Sequence, residues 1–258
     1  MYKSIFTLKA VMLFVVLMTL QAVPHEAIAE KEATQKTVLI TGANRGLGLE
    51  FARQFAQLGY TVIGTARNPE KATELKALGA NVIALDVTDS ESVAGMAVSL
   101  KGTPIDILVN NAGVIGNPQD NFKSFDFDKA LITLNINSLG PMRVTQALYD
   151  NLLAGNEKKV IQITSILGSI ENNSGGYYDY RASKAALNTM NKSLSIELES
   201  EGFTCVVLHP GWVKTDLGGE RAPLEPAQSI KGMLAVIQGL EDDDNGKFYD
   251  YQGNAIPW

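Results

Sequence analysis

Short apolar runs alternate with helical patterns along most of this chain, and this alternation restricts the possible folds more than any other feature. Each run, such as the one in TVLITG at 37–42, is continuously apolar, which indicates a strand with both faces buried. The intervening segments place apolar residues at helical spacing, as Leu47, Phe51 and Phe55 do. Buried strands that alternate with helices predict one α/β domain with a doubly wound parallel sheet.

The pattern also predicts where the elements lie. Strands are expected at 37–42, 60–67, 81–87, 105–113, 158–165 and 203–211. Helices are expected at 47–59, 69–79, 88–100, 126–154 and 178–200, with another from Ser229. Thr88 and Glu91 have the spacing of a capping box at the start of the third helix. Right-handed crossovers bring all the strand carboxyl ends to one edge of such a sheet, where ligands bind.

Composition excludes some functions. The chain has 258 residues, 45% of them apolar, which is ample for one large core. Its net charge of −6, with no dense run of lysine or arginine, argues against binding to nucleic acid. The single cysteine, Cys205, cannot form an internal disulfide, and it lacks the companions expected of a metal site. We therefore expect a buried thiol and no metal.

The amino terminus has the layout of a secretory signal. Two lysines precede the apolar stretch AVMLFVVLMTLQAV, and Ala27-Ile28-Ala29 forms a small-x-small cleavage site. The chain thus divides into a signal peptide at 1–29, a polar lead-in at 30–35 and the folded domain at 36–258. Cleavage would make the protein periplasmic or secreted, with no membrane span in the mature chain. An uncleaved anchor or a misassigned start codon is the alternative, and the protein would then be membrane-tethered or cytoplasmic.

A glycine-rich turn, TGANRGLG at 41–48, joins the first strand to the first helix. Gly42 permits a tight exit from the strand, and Gly46 and Gly48 let a pyrophosphate approach the backbone at the helix amino terminus. Because a strand precedes this turn and a helix follows it, the sequence predicts a Rossmann-type dinucleotide site. The same turn supplies further candidate contacts to the cofactor, namely Asn44, Arg45 and Leu47.

The end of the second strand bears on the choice of nucleotide. An NAD site places a carboxylate there for the ribose 2′-hydroxyl, whereas this chain has Ala66 followed by Arg67. Arg45 adds a second guanidinium, and arginine binds phosphate through two parallel hydrogen bonds. We therefore expect NADP(H), with NAD(H) possible. The alternative is that both arginines are solvated loop residues.

Seven motifs in fixed order give residues 36–258 a resemblance to the short-chain dehydrogenase/reductase family. These are the glycine turn, DV at 86–87, NNAG at 110–113, the Asn137 of NSLG, the Ser165 of TS, the YRASK of Tyr180 to Lys184, and PGWVKT at 210–215. The carboxyl-terminal FYDYQGNAIPW resembles more narrowly the C-factor and Sniffer-type carbonyl reductases. The resemblance implies hydride transfer between a nicotinamide and a small carbonyl or alcohol substrate.

Tyr180 and Lys184 lie four residues apart, so they share one face of a helix. An unperturbed phenol ionises near pH 10, and a neighbouring ammonium is expected to lower that pKa. Tyr178 falls on another face, and Gly175-Gly176 indicate that Tyr177 belongs to a loop. The spacing thus singles out Tyr180 among the three phenols.

The family resemblance implies a role for each catalytic candidate. Tyr180 would exchange the proton of the carbonyl oxygen, and Ser165 would hydrogen-bond that oxygen. Lys184 would hold the nicotinamide ribose, and Asn137 would order a water that relays protons. Asn135 is a competitor for this last role, but only Asn137 stands three residues before a glycine, Gly140.

The same resemblance implies further contacts to the cofactor. The adenosine side would be bound by Asp86, Val87, Asn111, Ala112 and Gly113. The nicotinamide carboxamide would be bound by Thr215 and by the turn of Pro210, Gly211 and Val213. For Asp86 and Asn111, a strand-end turn bonded to backbone is a competing interpretation. Trp212, within that turn, is a candidate wall of the substrate pocket.

Two further questions stay open from sequence. Apolar surfaces on the helices at 139–154 and 181–200 could pair subunits into a homo-oligomer. An exported, C-factor-like signalling protein with little turnover is the alternative to an enzyme, although a pure binding protein has no need of a tuned phenol.

Overall fold

Seven strands alternate with eight helices in the computed structural model, which describes residues 35–117 and 121–258. The strands are β1 (Thr37–Ile40), β2 (Thr61–Ala66), β3 (Asn81–Ala84), β4 (Ile107–Asn110), β5 (Lys159–Ile163), β6 (Thr204–His209) and β7 (Phe248–Asp250). The helices are α1 (Gly46–Gln57), α2 (Thr73–Ala77), α3 (Ser90–Ser99), α4 (Phe127–Leu134), α5 (Gly140–Ala147), α6 (Tyr149–Leu153), α7 (Tyr178–Leu198) and α8 (Pro226–Gly239).

All seven strands form one parallel sheet in the order β3-β2-β1-β4-β5-β6-β7. The chain runs outward from β1 to β3 and then returns to β4, which pairs with the other side of β1. The order therefore reverses between β1 and β4, and ligands bind at such a point in open α/β sheets. The doubly wound, Rossmann-type fold predicted from the sequence is confirmed.

Successive residues of the strands are buried on opposite faces. Val38 and Ile40 of β1 belong to a core shared with α1 and α8, whereas Leu39 belongs to a second core shared with α3, α5 and α6. All three side chains are fully buried. Helices cover both faces of the sheet, so side chains on both faces of each strand are buried. The strands therefore appear in the sequence as continuous apolar runs, without the alternation of apolar and polar residues that a half-exposed strand shows.

Most predicted elements are confirmed, with three differences. The region 126–154 is not one helix, because a π-helical turn at Asn135–Leu139 and a break near Leu148 divide it into α4, α5 and α6. The capping box of Thr88 and Glu91 is wrong: α3 is capped by Asp89, whose side chain accepts a hydrogen bond from the Glu91 amide. The three-residue strand β7 was not predicted, since so short a run carries almost no periodicity.

Residues 35–258 form one compact unit. In the described part of the chain, no helix combines the length and the apolar character that crossing a bilayer requires. The predicted signal peptide at 1–29 lies outside the described residues.

Candidate active site

The glycine turn leads from β1 directly into the amino terminus of α1. Gly42 and Gly46 have φ angles of +63° and +55°, in the left-handed region that other residues adopt only with strain. Arg45 occupies the N-cap position, and no side chain caps the helix there. The first amides of α1 are thus available to an anion, and the helix dipole favours negative charge at this point. The turn fits the pyrophosphate of a dinucleotide.

Gly48 has a different role from the one expected. A Cβ at this position would lie 2.3 Å from the Gly42 carbonyl oxygen and 2.6 Å from Asn111 Nδ2. The missing side chain therefore lets α1 pack closely on the strand ends, and the residue does not line the cleft. Glycine is required here for packing between helix and strand rather than for approach of the pyrophosphate.

A cleft of about 450 Å³ opens along the carboxyl ends of the strands, at the reversal of strand order. It is lined by the following residues from the sequence-derived set: Gly42, Asn44, Arg45, Gly46, Leu47, Arg67, Asp86, Val87, Asn111, Ala112, Gly113, Tyr180, Lys184, Pro210 and Thr215. Its shape and its lining fit an extended dinucleotide with the adenosine end near β2 and β3. Among the described residues, no three His, Cys, Asp or Glu side chains are grouped so that they could hold a metal ion.

The two arginines expected at a 2′-phosphate both line the cleft. Arg67 is exposed just after β2. Arg45 pairs with Asp216 across the cleft at 3.0 Å, and both side chains are largely exposed. Ion pairs of this kind contribute little free energy, so the pair leaves Arg45 available to a ligand.

Asp86 forms a turn with its own neighbours. Its carboxylate accepts hydrogen bonds from the amide and the hydroxyl of Thr88, at 2.9 and 2.6 Å. These two bonds lower the pKa of Asp86, and the guanidinium of Arg67 lowers it further. Asp86 is therefore a strand-end turn residue, as the competing interpretation proposed. It also lines the cleft, so its position allows contact with a cofactor.

The segment after β4 is fastened to the glycine turn. Asn111 Nδ2 donates to the carbonyl oxygens of Thr41 and Gly42, at 2.9 and 3.1 Å. The hydroxyl of Thr41 accepts from the amides of Asn111 and Ala112. Thr41, which was not singled out from the sequence, thus joins the two turns that flank the reversal of strand order. Asn111 is primarily a structural tie between these turns.

Tyr180 and Lys184 project from the first turns of α7 toward the ends of β5 and β4. Both side chains are buried, at 7% and 5% exposure, yet both line the cleft. Lys184 Nζ lies 5.7 Å from the centre of the Tyr180 ring and donates to the Ile163 carbonyl at 2.8 Å. The Ser165 hydroxyl, just beyond β5, lies near the Tyr180 phenol and acts to lower its pKa. The structure thus brings three of the four catalytic candidates together.

Burial, rather than the lysine, dominates the proton affinity of these groups. Desolvation raises the pKa of Tyr180 to about 12, although the neighbouring Ser165 hydroxyl opposes this rise. Desolvation also lowers the pKa of Lys184 to about 8. The expectation that Lys184 would bring the phenol below its usual pKa is therefore wrong for this chain. Tyr180 is held in its protonated form at neutral pH.

Asn137 lies in the π-helical turn and is fully buried behind the segment after β4. Its Oδ1 accepts from the Val114 amide at 2.9 Å, and its Nδ2 donates to the Val114 carbonyl and to Ser183 Oγ. A Cβ on Gly113 would lie 3.2 Å from Asn137 Oδ1 and 3.7 Å from Lys184 Nζ. Asn137 thus stands beside the lysine, while its amide holds the cleft wall.

The turn after β6 is only partly as expected. Pro210 and Thr215 line the cleft. Thr215 also lies against the glycine turn, because a Cβ added to Gly46 would be 3.8 Å from the Thr215 methyl group. Gly211 and Val213 do not line the cleft, because Gly211 packs against Leu224 and Tyr251, and Val213 bridges to Leu224. Trp212 is also outside the lining: it is 55% exposed and donates to the Gly218 carbonyl at 2.8 Å.

Several lining residues were not expected from the sequence. The apolar ones are Leu85, Val114, Ile132, Ile136, Ile163 and Leu217. Polar additions are Thr65, Thr88, Asn135, Thr164 and Asp216. Most of these residues lie one to three positions from a motif residue in the sequence. Proximity to a motif is therefore the sequence signal that could have identified them. Ile132 of α4 carried no such signal.

Comparison with known proteins agrees with this geometry. The sequence profile of the short chain dehydrogenase family matches residues 36–225. The chain is 47% identical over 156 residues to the C-signal protein of Myxococcus xanthus, a match that covers 60% of this chain and 93% of the relative.

Solved structures give the same result. The NADPH-bound carbonyl reductase from chicken fatty liver superposes with a TM-score of 0.81 at 32% identity, over 87% of this chain and 99% of the other. The carbonyl reductase Sniffer of D. melanogaster has the same TM-score at 33% identity, over 87% and 100% of the two chains. The family resemblance seen in the sequence is confirmed: the chain belongs to the short-chain dehydrogenase/reductase family of oxidoreductases.

Proposed function

We propose that this protein reduces the carbonyl group of small aldehydes and ketones to an alcohol with NADPH. The observation that carries the proposal is a buried phenol that lines the nucleotide cleft, with a serine hydroxyl and a lysine ammonium beside it. Such a phenol is a proton donor placed where a hydride acceptor would bind. The similar structure from chicken fatty liver, a carbonyl reductase, is bound to NADPH.

The residues of this chain divide the work of the reduction. When bound, NADPH supplies the hydride that forms the new C–H bond at the carbonyl carbon. Tyr180, protonated because burial raises its pKa to about 12, donates its proton to the carbonyl oxygen. Ser165 hydrogen-bonds that oxygen as negative charge develops on it. The resulting phenolate lies near the Lys184 ammonium, which stabilises it until a solvent proton replaces the one transferred.

Asn137 has a place in the same proton path. Its position beside Gly113, close to the Lys184 ammonium, supports a role in ordering water that returns protons to the lysine. Its buried amide also keeps the Val114 backbone in position. Both contributions require the side chain, so substitution of Asn137 by alanine is expected to affect stability and turnover together.

Preference for NADPH over NADH follows from charge at the adenosine end. Arg67 lines the cleft just after β2, Arg45 lines it from the glycine turn, and the end of β2 has no carboxylate to accept from a ribose hydroxyl. A 2′-phosphate would bind these guanidiniums, whereas NADH would lose that attraction. Asp86, which stands near Arg67, would be the group that contacts the adenine.

Turnover is the first test. NADPH oxidation is followed with a panel that includes 4-nitrobenzaldehyde and cyclohexanone, for the wild type and for Tyr180→Phe. Loss of the general acid is expected to lower kcat by about 10²- to 10⁴-fold while NADPH still binds. Tyr178→Phe, which changes an exposed phenol of the same helix, is the matched control and should retain activity. Tight NADPH binding without turnover of any carbonyl would instead favour the C-factor-like signalling protein.

Cofactor choice is tested separately. In Arg67→Ser, the ratio of kcat/KM for NADPH to that for NADH is expected to fall by about 10- to 100-fold, since one charge-assisted phosphate contact is lost. Arg53→Ser, on the outer part of α1, controls for the loss of positive charge. An unchanged ratio in both Arg67→Ser and Arg45→Ser would contradict the proposed 2′-phosphate site.

We also propose that the protein is exported after cleavage at Ala29. The support is the sequence layout of residues 1–29 alone. Mass spectrometry of the mature protein is the test, with Glu30 as the expected first residue and an intact amino terminus as the contrary result.

A further inference from the structure

Two charged residues flank Tyr180, and the proposed reaction uses neither of them. Asp179 and Arg181 are 1% and 7% exposed, which is unusual for an aspartate and an arginine. Within residues 35–117 and 121–258, these two side chains form hydrogen bonds with backbone groups and hydroxyls rather than with each other. Burying a charge in this way costs free energy unless each charge is well hydrogen-bonded. A function should therefore be sought in what these bonds hold.

Asp179 joins three elements. Its Oδ2 accepts from the Asn117 amide at 3.2 Å and from the Thr133 hydroxyl at 2.9 Å, and its Oδ1 accepts from the Tyr180 amide at 2.7 Å. The carboxylate lies in the first turn of α7, where the helix dipole favours negative charge. One side chain thus connects the loop after β4, the helix α4 and the backbone of the catalytic tyrosine.

Gly116 shows how closely that loop is held. A Cβ at Gly116 would lie 1.9 Å from Asp179 Oδ2, and the φ angle there is +68°. Only glycine lets the loop backbone reach the carboxylate. The loop, 113–117, begins with Gly113 and Val114, which line the cleft.

Arg181 holds the other side. Its Nε donates to the carbonyl oxygens of Gly175 and Gly176, both at 3.2 Å, and its Nη2 donates to Ser174 Oγ at 3.2 Å. These acceptors lie at the end of the loop 166–176, which starts immediately after Ser165. The two loops that leave β4 and β5 are therefore each fastened to α7 by a residue adjacent to Tyr180.

We propose that Asp179 and Arg181 are positioning residues that fix the loops 113–117 and 166–176 relative to the Tyr180 phenol. The effect on turnover rests on the proposed function, because it assumes that the phenol donates a proton to a substrate held between these loops. The fastening itself does not rest on it. Asp179 accepts through both of its carboxylate oxygens, whereas asparagine offers only one acceptor oxygen, and Arg181 donates through both Nε and Nη2.

Hydrogen exchange measured by mass spectrometry tests the fastening without any substrate. Asp179→Asn is expected to speed exchange in the peptide that covers 113–117 and to leave the peptide that covers 166–176 unchanged. Arg181→Met is expected to do the reverse, so each variant is the control for the other. Asp128→Asn, which removes an exposed charge from α4, should change neither peptide.

Kinetics test the consequence for the reaction. With NADPH and 4-nitrobenzaldehyde, kcat is expected to fall about 10- to 100-fold in Asp179→Ala and Arg181→Met, as misplaced groups commonly cause. Asp179→Asn and Arg181→Lys keep part of the bonding and should recover part of kcat. The dissociation constant of NADPH should change by a much smaller factor than kcat, and the variants should remain folded at the assay temperature. A merely structural residue would lower stability and cofactor binding along with turnover, without rescue by the conservative variants.

The outcomes separate the two proposals. If the wild type shows no carbonyl turnover, the proposed function fails, and the exchange data alone decide whether the residues fasten the loops. If exchange rises throughout the molecule, or in neither loop, the positioning role is wrong. Should Asp179→Asn fail to fold, Thr133→Val and Ser174→Ala remove one bond from each side. If neither of these milder variants changes hydrogen exchange in the loops, the proposal is also contradicted.

Discussion

Replacing Lys184 by methionine is expected to stabilise the fold at neutral pH while it removes a catalytic group. Methionine has a similar length and no charge, so the variant keeps the packing and relieves the burial of the ammonium. The Lys184 side chain is 5% exposed, and desolvation lowers its pKa from 10.5 to about 8. The protein thus binds this proton less well when folded than when unfolded.

The sign and size of the effect follow from linkage. Above pH 10.5 Lys184 is neutral in both the folded and the unfolded state, so its burial carries no electrostatic penalty. As the pH falls toward 8, the unfolded chain binds the proton before the folded protein does, and the free energy of unfolding decreases. Each tenfold change in proton affinity is worth about 1.4 kcal/mol, so the full penalty below pH 8 is about 3 kcal/mol. The hydrogen bond from Lys184 to the Ile163 carbonyl, worth about 1–3 kcal/mol, offsets part of it.

Urea unfolding of the cofactor-free protein at pH 7.5 and pH 10 measures this directly. The free energy of unfolding of the wild type, relative to Lys184→Met, is expected to rise by about 2 kcal/mol between these two pH values. Lys192→Met, which changes an exposed lysine two turns further along α7, should show no such rise. A difference between wild type and Lys184→Met that is independent of pH would show that burial does not penalise the ammonium, and the reasoning would be refuted.

Three other predictions concern the packing. Gly48→Ala is expected to lower the free energy of unfolding by about 1–3 kcal/mol, because the new Cβ would lie 2.3 Å from the Gly42 carbonyl oxygen. Gly95→Ala is the control: its Cβ would have no atom within 4 Å, so the substitution should raise the free energy of unfolding by about 0.5–1 kcal/mol. Burial lowers the pKa of His209 to about 4, so stability is complete above pH 6.5 and should fall by about 2 kcal/mol between pH 7 and pH 5, as urea titrations of wild type and His209→Gln would show. Burial raises the pKa of the Cys205 thiol to about 12, so thiol reagents should label it only in urea; rapid labelling of the native protein would contradict the burial.

Local sequence determined the architecture and the identity of the site. The first six strands and most helices could be read from hydrophobic periodicity, because apolar runs buried on both faces indicate a parallel sheet. Chirality then places every strand-end motif at one edge, so Gly42, Asn111 and Ser165 could be expected near each other. The spacing of Tyr180 and Lys184 placed both on one helical face. These features depend on short stretches of chain, and the sequence contains them in full.

Tertiary structure decided the roles within that framework. Gly48 serves packing rather than the cofactor because the Gly42 carbonyl lies against it. The pKa of Tyr180 rises rather than falls because desolvation by the surrounding fold outweighs the opposing effect of the Ser165 hydroxyl. Nothing in the sequence predicted that Asp179 and Arg181 would be buried, whereas in the structure the loops that follow two different strands cover them. Burial and long-range hydrogen bonds depend on residues far apart in the chain, and a local pattern carries no information about them.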